Sequence, residues 1–105
     1  MRMIKPGDYI GGIFKKTNND GKEIYELIKT KVNKIISTSK ATKVYSKAFY
    51  PLDLEDVEAN TKDMEEADGY ILTREVFQIT EPIERHCTMW IDWANKHPDQ
   101  VESLI

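Results

Sequence analysis

The chain has 105 residues, of which 40% are hydrophobic and 31% are charged, and its formal net charge is −3. This composition is typical of one globular domain, which we place at 1–105, and it excludes a disordered or fibrous chain. Its apolar runs are three residues or shorter, so the sequence predicts no transmembrane helix, no signal peptide and no membrane partner. A single cysteine excludes an internal disulfide and indicates a reducing compartment, so we expect a cytoplasmic protein.

The charges are segregated along the chain. Residues 27–52 contain six lysines and no acid, whereas residues 53–75 contain nine acids against one lysine and one arginine. These segments predict a basic and an acidic pole if they stay apart in the fold, or a neutralised pair if they pack together. The small negative net charge argues against a protein that coats nucleic acid by bulk charge alone.

Two runs of strand-forming residues, 9–17 and 22–36, predict a β-hairpin. The Asp20-Gly21 step between them is a strong signal for a two-residue turn. With that turn, the opposite pairs are Ile13 with Ile28, Tyr9 with Val32 and Lys15 with Glu26.

The length of the second run predicts a strongly bent sheet. At about 3.3 Å per residue this strand would extend about 50 Å, too far for a flat strand in so small a domain. Gly11 and Gly12 in the facing strand permit the curvature. A polar turn over 37–41 then leads to a third strand over 42–50. Pairing about Lys40 predicts Ile36 opposite Val44 and Val32 opposite Ala48.

The segment after Pro51 is acidic and less regular. Asp53 is a candidate cap for a helix that Gly69 would end, within an insertion over 51–69. The pattern is compatible with one helix, two helices or a loop. Residues 70–79 predict a fourth strand, with a short helix capped by Thr73 as the alternative.

The last predicted element is a helix over 81–97. Thr80 is its candidate N-cap and Pro82 stands where no amide is needed, while an apolar stripe follows at helical spacing. With a β-rich part over 4–50, we predict an α+β fold. It is a small, strongly bent antiparallel β-sheet or SH3-like barrel with an acidic helical insertion and a C-terminal helix.

Catalytic chemistry has little support in the sequence. His86 precedes the only thiol, Cys87, but adjacent helical residues point about 100° apart, and Cys87 lies on the apolar stripe. No Cys-x-x-Cys motif and no histidine pair with metal-ligand spacing occurs. We therefore expect no metal, no cofactor and no enzymatic activity. The alternative, a thiol-dependent enzyme, requires a Cys87 that alkylates rapidly in the folded protein.

A basic and aromatic surface is the clearest functional signal. Along the third predicted strand, alternate residues on one side interleave rings and ammonium groups, and two more lysines lie across the hairpin. The residues are Lys29, Lys31, Lys43, Tyr45, Lys47 and Phe49. Such a surface suits single-stranded nucleic acid or an acidic protein. A structural alternative is that the rings pack under the C-terminal helix while the lysines protect a sheet edge.

A second set of residues predicts a protein interface. Trp93 lies beside the apolar stripe of the last helix, Glu65 and Glu66 belong to the acidic segment, and Tyr45 and Lys47 lie on the basic surface. The leading hypothesis is a non-enzymatic binding protein of accessory, regulatory or inhibitor type, including one of viral origin, which occludes a macromolecular partner. We expect a protein partner rather than nucleic acid. Self-association into a homo-oligomer is a further expectation.

Overall fold

The computed structural model describes residues 4–66 and 71–104, and it confirms the predicted fold class. Five antiparallel strands, in the spatial order β4-β3-β2-β1-β5, form a strongly curled half-barrel that helices accompany. No helix among these residues has the length and apolar character needed to cross a membrane. The elements are β1 (Tyr9–Thr17), β2 (Glu23–Ser37), β3 (Thr42–Ser46), β4 (Leu52–Asp53), α1 (Leu54–Glu66), β5 (Phe77–Gln78), α2 (Glu81–Lys96) and α3 (Pro98–Leu104).

The loop between β1 and β2 is longer than the predicted two residues. The backbone N–H of Gly21 donates to the carbonyl of Asn18 at 3.0 Å, and Gly21 has a φ of +80°. This is a turn closed by a glycine bulge, with a three-residue loop. The Asn18 side-chain oxygen also accepts hydrogen bonds from the N–H groups of Asp20 and Lys22, at 3.0 and 2.9 Å. These bonds stabilise the longer loop.

The longer loop shifts the register of the hairpin by one residue. Ile13 lies opposite Leu27, so the predicted pairing with Ile28 is wrong. Lys15 forms an ion pair with Glu23 at 2.8 Å, and Glu26, its predicted partner, forms one with Lys16 at 3.3 Å.

The pairing of β2 with β3 differs from the prediction in two ways. β3 ends at Ser46 rather than at residue 50, and Val44 lies opposite Ile35 rather than Ile36. The register shifts between Val32 and Lys34, which identifies a β-bulge. A bulge adds one residue to one strand and strengthens its local twist.

Both faces of the β1–β2 hairpin are covered. Ile10 belongs to a cluster that includes Val57 of α1, whereas Ile13 belongs to a cluster that includes Cys87 and Ala94 of α2. We call the first face inner and the second outer. Because successive strand residues point to opposite faces, the two clusters fill the two sides of one ribbon.

The acidic segment forms a single helix, α1, and a buried threonine ties it to the sheet. The Thr61 hydroxyl donates to the carbonyl of Val57 at 2.7 Å and accepts the N–H of Gln78 in β5 at 2.8 Å. Asp53 immediately precedes the helix, as predicted. The predicted end at Gly69 lies outside the described residues.

The predicted strand over 70–79 is mostly irregular. Only Phe77–Gln78 pairs as a strand, and Thr73 forms an isolated bridge with Ile13. Arg74 has a φ of +69°, a left-handed conformation that interrupts an extended chain. Tyr70, where the predicted strand begins, lies outside the described residues.

Helix α2 confirms the predicted C-terminal helix and runs alongside the first half of β2. Thr80 holds the N-cap position, although its side chain makes no capping hydrogen bond. Near the other end, the Asn95 amide makes two hydrogen bonds to the backbone of Tyr25: its oxygen accepts the N–H at 2.8 Å and its nitrogen donates to the carbonyl at 3.1 Å. Since β3 pairs only with Val32 and beyond, Asn95 pairs with the edge of β2 at Tyr25, in the half of the strand that β3 leaves open.

Candidate basic-aromatic binding site

The β-bulge in β2 creates a continuous basic surface on the outer face. Before the bulge Val32 points to the inner face, and after it Ile35 does. Lys31 and Lys34, one on each side of the bulge, therefore point to the same outer face, although their numbers have opposite parity. The basic-aromatic face is made of six outward residues of β1, β2 and β3: Tyr9, Lys29, Lys31, Lys34, Lys43 and Tyr45. Ile36, opposite Lys43, is exposed on the same side.

Lysine ammonium groups lie over both tyrosine rings of this face. The Nζ atoms of Lys29 and Lys31 are 4.7 and 5.6 Å from the centroid of the Tyr9 ring. The Nζ atom of Lys34 is 5.0 Å from the centroid of the Tyr45 ring. Contacts of this kind at exposed sites contribute about 0.5–1 kcal/mol each. They hold the ammonium groups close to the sheet surface.

Two of the four lysines on the face are neutralised by carboxylates from other elements. Lys29 contacts both carboxylate oxygens of Glu84 in α2, at 3.0 and 3.1 Å. Lys43 contacts Asp53 at 2.6 Å, and this hydrogen bond raises the pKa of the Lys43 ammonium. The basic and acidic segments therefore meet at this sheet edge.

The other two lysines carry the positive charge of the face. Lys31 and Lys34 are exposed, and neither forms an ion pair with any residue of 4–66 or 71–101. The neighbouring rings and the alkyl stems of these lysines give a partner apolar contact beside an unneutralised charge. This combination can hold a carboxylate.

The loop after β3 removes Phe49 from the face. Phe49 is partly buried, and its ring lies 5.9 Å from that of Phe14 in the inner cluster. The prediction that Phe49 shares a side with Tyr45 is therefore wrong, because the strand that would have carried it ends at Ser46. Lys47 is exposed in the same loop. Tyr50, which sequence reasoning missed, is 91% exposed there.

The other predicted interface residues lie elsewhere on the molecule. Trp93 is half-buried against the outer cluster and stacks on His97, with 5.5 Å between ring centroids. Glu65 and Glu66 are exposed in the last turn of α1. The structure therefore brings Tyr45 together with Lys29, Lys31 and Lys43, but it does not bring Trp93 to them.

Cys87 is fully buried, which confirms its interpretation as an apolar core residue. Burial raises the pKa of the thiol from 9.0 to about 11, and the nearby Glu84 charge adds to this shift. The thiol is thus protonated and inaccessible at neutral pH, the opposite of a reactive cysteine.

We expect Cys87 to alkylate very slowly in the folded protein. At pH 8 the raised pKa lowers the thiolate fraction by about a hundredfold, and burial slows access further. The measurement is iodoacetamide labelling followed by mass spectrometry, with the same protein in denaturing urea as the control. Labelling of the folded protein at the rate of the unfolded control would contradict this prediction.

No family model matches the chain, and neither a curated protein nor a solved structure was found to match it. The basic-aromatic face has three features that bear on function. Lys31 and Lys34 are unpaired among the described residues, tyrosine rings lie beneath the ammonium groups, and carboxylates already bind Lys29 and Lys43.

Proposed function

We propose that this protein is a non-enzymatic binding protein whose basic-aromatic face binds a carboxylate-rich surface of a protein partner and occludes it. The supporting observation is the unneutralised pair, Lys31 and Lys34, on a face where Glu84 and Asp53 already bind the neighbouring lysines. Those two internal ion pairs illustrate the ligand chemistry that the face accepts, because carboxylates from two different elements bind it. Such charge complementarity supports specificity and rapid association.

The ring contacts favour an acidic protein over single-stranded nucleic acid. Base stacking requires an open aromatic face, whereas ammonium groups lie over the rings of Tyr9 and Tyr45. Phe49, a third ring that the nucleic-acid alternative would use, packs on Phe14. All four basic residues of the face are lysines, which lack the bidentate fork that arginine offers to phosphate.

The cellular role that follows from occlusion is that of an accessory, regulatory or inhibitor protein. A chain of this size can cover an acidic surface on a larger partner and block access to it. The buried, protonated thiol of Cys87 is consistent with a protein that acts in the reducing cytoplasm.

Charge reversal at Lys31 and Lys34 is expected to abolish binding of an acidic polypeptide. The probe is a fluorescent peptide of alternating Glu and Ala, titrated at about 20 and about 200 mM NaCl, because exposed ion pairs weaken with salt. We expect Lys31→Glu with Lys34→Glu to weaken binding at least about tenfold, since two attractions become repulsions. The readout is fluorescence anisotropy.

The matched control reverses two lysines at the far end of the hairpin, Lys16→Glu with Lys22→Glu, and changes the net charge equally. This variant is expected to bind the peptide nearly as well as the wild type. An equal loss in both variants would show that only net charge matters and would refute the proposal. Tighter binding of an oligothymidylate of matched charge than of the peptide would establish the nucleic-acid alternative instead.

A further inference from the structure

The molecule presents a surface of opposite charge on its other side. Helix α1 buries Val57, Thr61 and Met64, so its opposite side faces solvent. The exposed carboxylates within an arc of about 100° on that side form what we call the acidic stripe: Glu55, Asp56, Asp63 and Glu66. Among the described helical residues, Lys62 is the one basic residue of α1.

Most of the acidic stripe lies on the opposite side of the sheet from Lys31 and Lys34. Helix α1 packs against the inner cluster, whereas these two lysines point from the outer face. One layer of sheet therefore separates them from the stripe. At the edge of the sheet, Asp53, which precedes the helix, binds Lys43, and the charge of Asp56 at the start of the stripe also raises the pKa of Lys43.

The two surfaces match in length as well as in charge. Glu55 and Glu66 are eleven residues apart on a helix, which corresponds to about 16 Å at 1.5 Å per residue. Lys29 and Lys34 are five residues apart on a strand, which also corresponds to about 16 Å. A helix laid along β2 would thus place carboxylates along the lysine row, where Lys31 and Lys34 are open to a second copy and Lys29 is already bound by Glu84.

We propose that the basic-aromatic face of one copy binds the acidic stripe of a second copy, head to tail. This inference rests on the proposed function, because it names a partner for the same face. The two surfaces differ, so the contact is heterologous, and each bound copy still offers one free surface of each kind. Assembly therefore continues beyond a dimer unless the rotation closes a ring.

Self-association and partner binding exclude each other at this face. An acidic partner and the stripe of a second copy both occupy Lys31 and Lys34. Adding the acidic peptide is therefore expected to dissociate the assemblies, and raising the protein concentration is expected to weaken the apparent affinity for the peptide. Self-association would keep the face covered until a stronger acidic ligand displaces the second copy.

The experiment uses sedimentation equilibrium of the full chain and two complementary variants. Lys31→Glu with Lys34→Glu removes the basic surface. Asp63→Lys with Glu66→Lys removes the acidic one, near the helix C-terminus where lysine is favourable. At about 20 mM NaCl and up to about 1 mM protein, where a weak contact is still populated, the wild type is expected to exceed monomer mass. Salt is expected to reverse this association.

Each variant alone is expected to be monomeric, with a self-association constant at least about tenfold weaker than that of the wild type. An equimolar mixture is expected to form a dimer that grows no further, because it contains one intact surface of each kind. The control Lys16→Glu with Lys22→Glu should associate as the wild type does.

Two results would overturn the inference: a wild-type chain that remains monomeric, or association that persists in the Asp63→Lys, Glu66→Lys variant. If the wild type is monomeric yet binds the acidic peptide through Lys31 and Lys34, the proposed function stands and only self-association fails. If it neither associates nor binds the peptide, both proposals fail.

Discussion

Replacing Gly12 by alanine is expected to lower the free energy of unfolding by about 3 kcal/mol or more, or to prevent folding. Gly12 is buried in β1, and a Cβ atom there would overlap the backbone carbonyl oxygen of Glu75. Gly11→Ala is expected to behave similarly, because its Cβ would overlap the carbonyl oxygen of Ile28 in β2. A flexible side chain could move aside, but these carbonyls belong to backbone packed on both sides of β1.

Urea denaturation followed by circular dichroism measures this effect, and Gly21→Ala is the matched control. Gly21 has a φ of +80°, and no atom lies within 4 Å of the position that a Cβ would take, so its substitution costs only the left-handed strain of about 1–2 kcal/mol. A Gly12→Ala variant as stable as Gly21→Ala would refute the close approach of β1 to the chain at Glu75. A Gly12→Ala chain that fails to fold while Gly21→Ala folds would support it.

The elements that depend on local patterns could be predicted from the sequence. The structure gives β1 the predicted bounds, Tyr9–Thr17, and α2 ends one residue before its predicted end. Alternating residues indicate a strand, and Thr80 and Pro82 indicate a helix start, without reference to the rest of the chain. The adjacent glycines of β1 also indicate a special backbone position. They predict curvature of the sheet, but the same residues also permit the backbone of a neighbouring segment to approach closely.

The register of the strands and the composition of the basic-aromatic face depend on the first turn and on the β-bulge, and both have a weak signal in the local sequence. A signal for the longer first turn was present in Asn18, whose side chain can hydrogen-bond the backbone of a turn. The bulge near Asn33 had no comparable signal. Without it, Lys31 and Lys34 would point to opposite faces, so sequence reasoning missed Lys34 as a site residue. Tyr9 was missed because the predicted register placed it opposite Val32.

The ion pairs of the face could not be predicted because they join distant parts of the chain. Lys29 and Glu84 are 55 positions apart, and no periodicity links a strand residue to one particular turn of a later helix. The sequence is compatible with two arrangements of the basic and acidic segments: they remain apart as two poles, or they pack together and neutralise each other. The structure combines them: Lys43 binds Asp53, whereas the stripe on α1 and the two unpaired lysines remain on opposite sides.

Replacing Asn95 by aspartate is expected to lower the free energy of unfolding by about 2–3 kcal/mol at neutral pH. The amide nitrogen donates to the carbonyl of Tyr25 at 3.1 Å, and a carboxylate would place a negative oxygen at that position. The Tyr25 carbonyl would lose its partner in a partly buried site, and a charge would lie beside it. The measurement is urea denaturation, with Asn19→Asp in the exposed turn as the control.

The pH dependence of the free energy of unfolding of Asn95→Asp shows whether Asn95 stabilises the protein through its two hydrogen bonds to Tyr25 or only through packing. A protonated carboxyl can donate to the carbonyl of Tyr25 and accept its N–H, so it reproduces both bonds of the amide. The carbonyl raises the pKa of the new carboxyl above its unfolded value of about 3.9. The stabilisation that the protonated carboxyl provides is thus fully present below the unfolded pKa. It is lost as the pH rises through the folded pKa. The deficit relative to the wild type should shrink on acidification, whereas that of Asn95→Ala should not. A deficit independent of pH would show that the edge of β2 is held by packing of α2 rather than by the Asn95 amide.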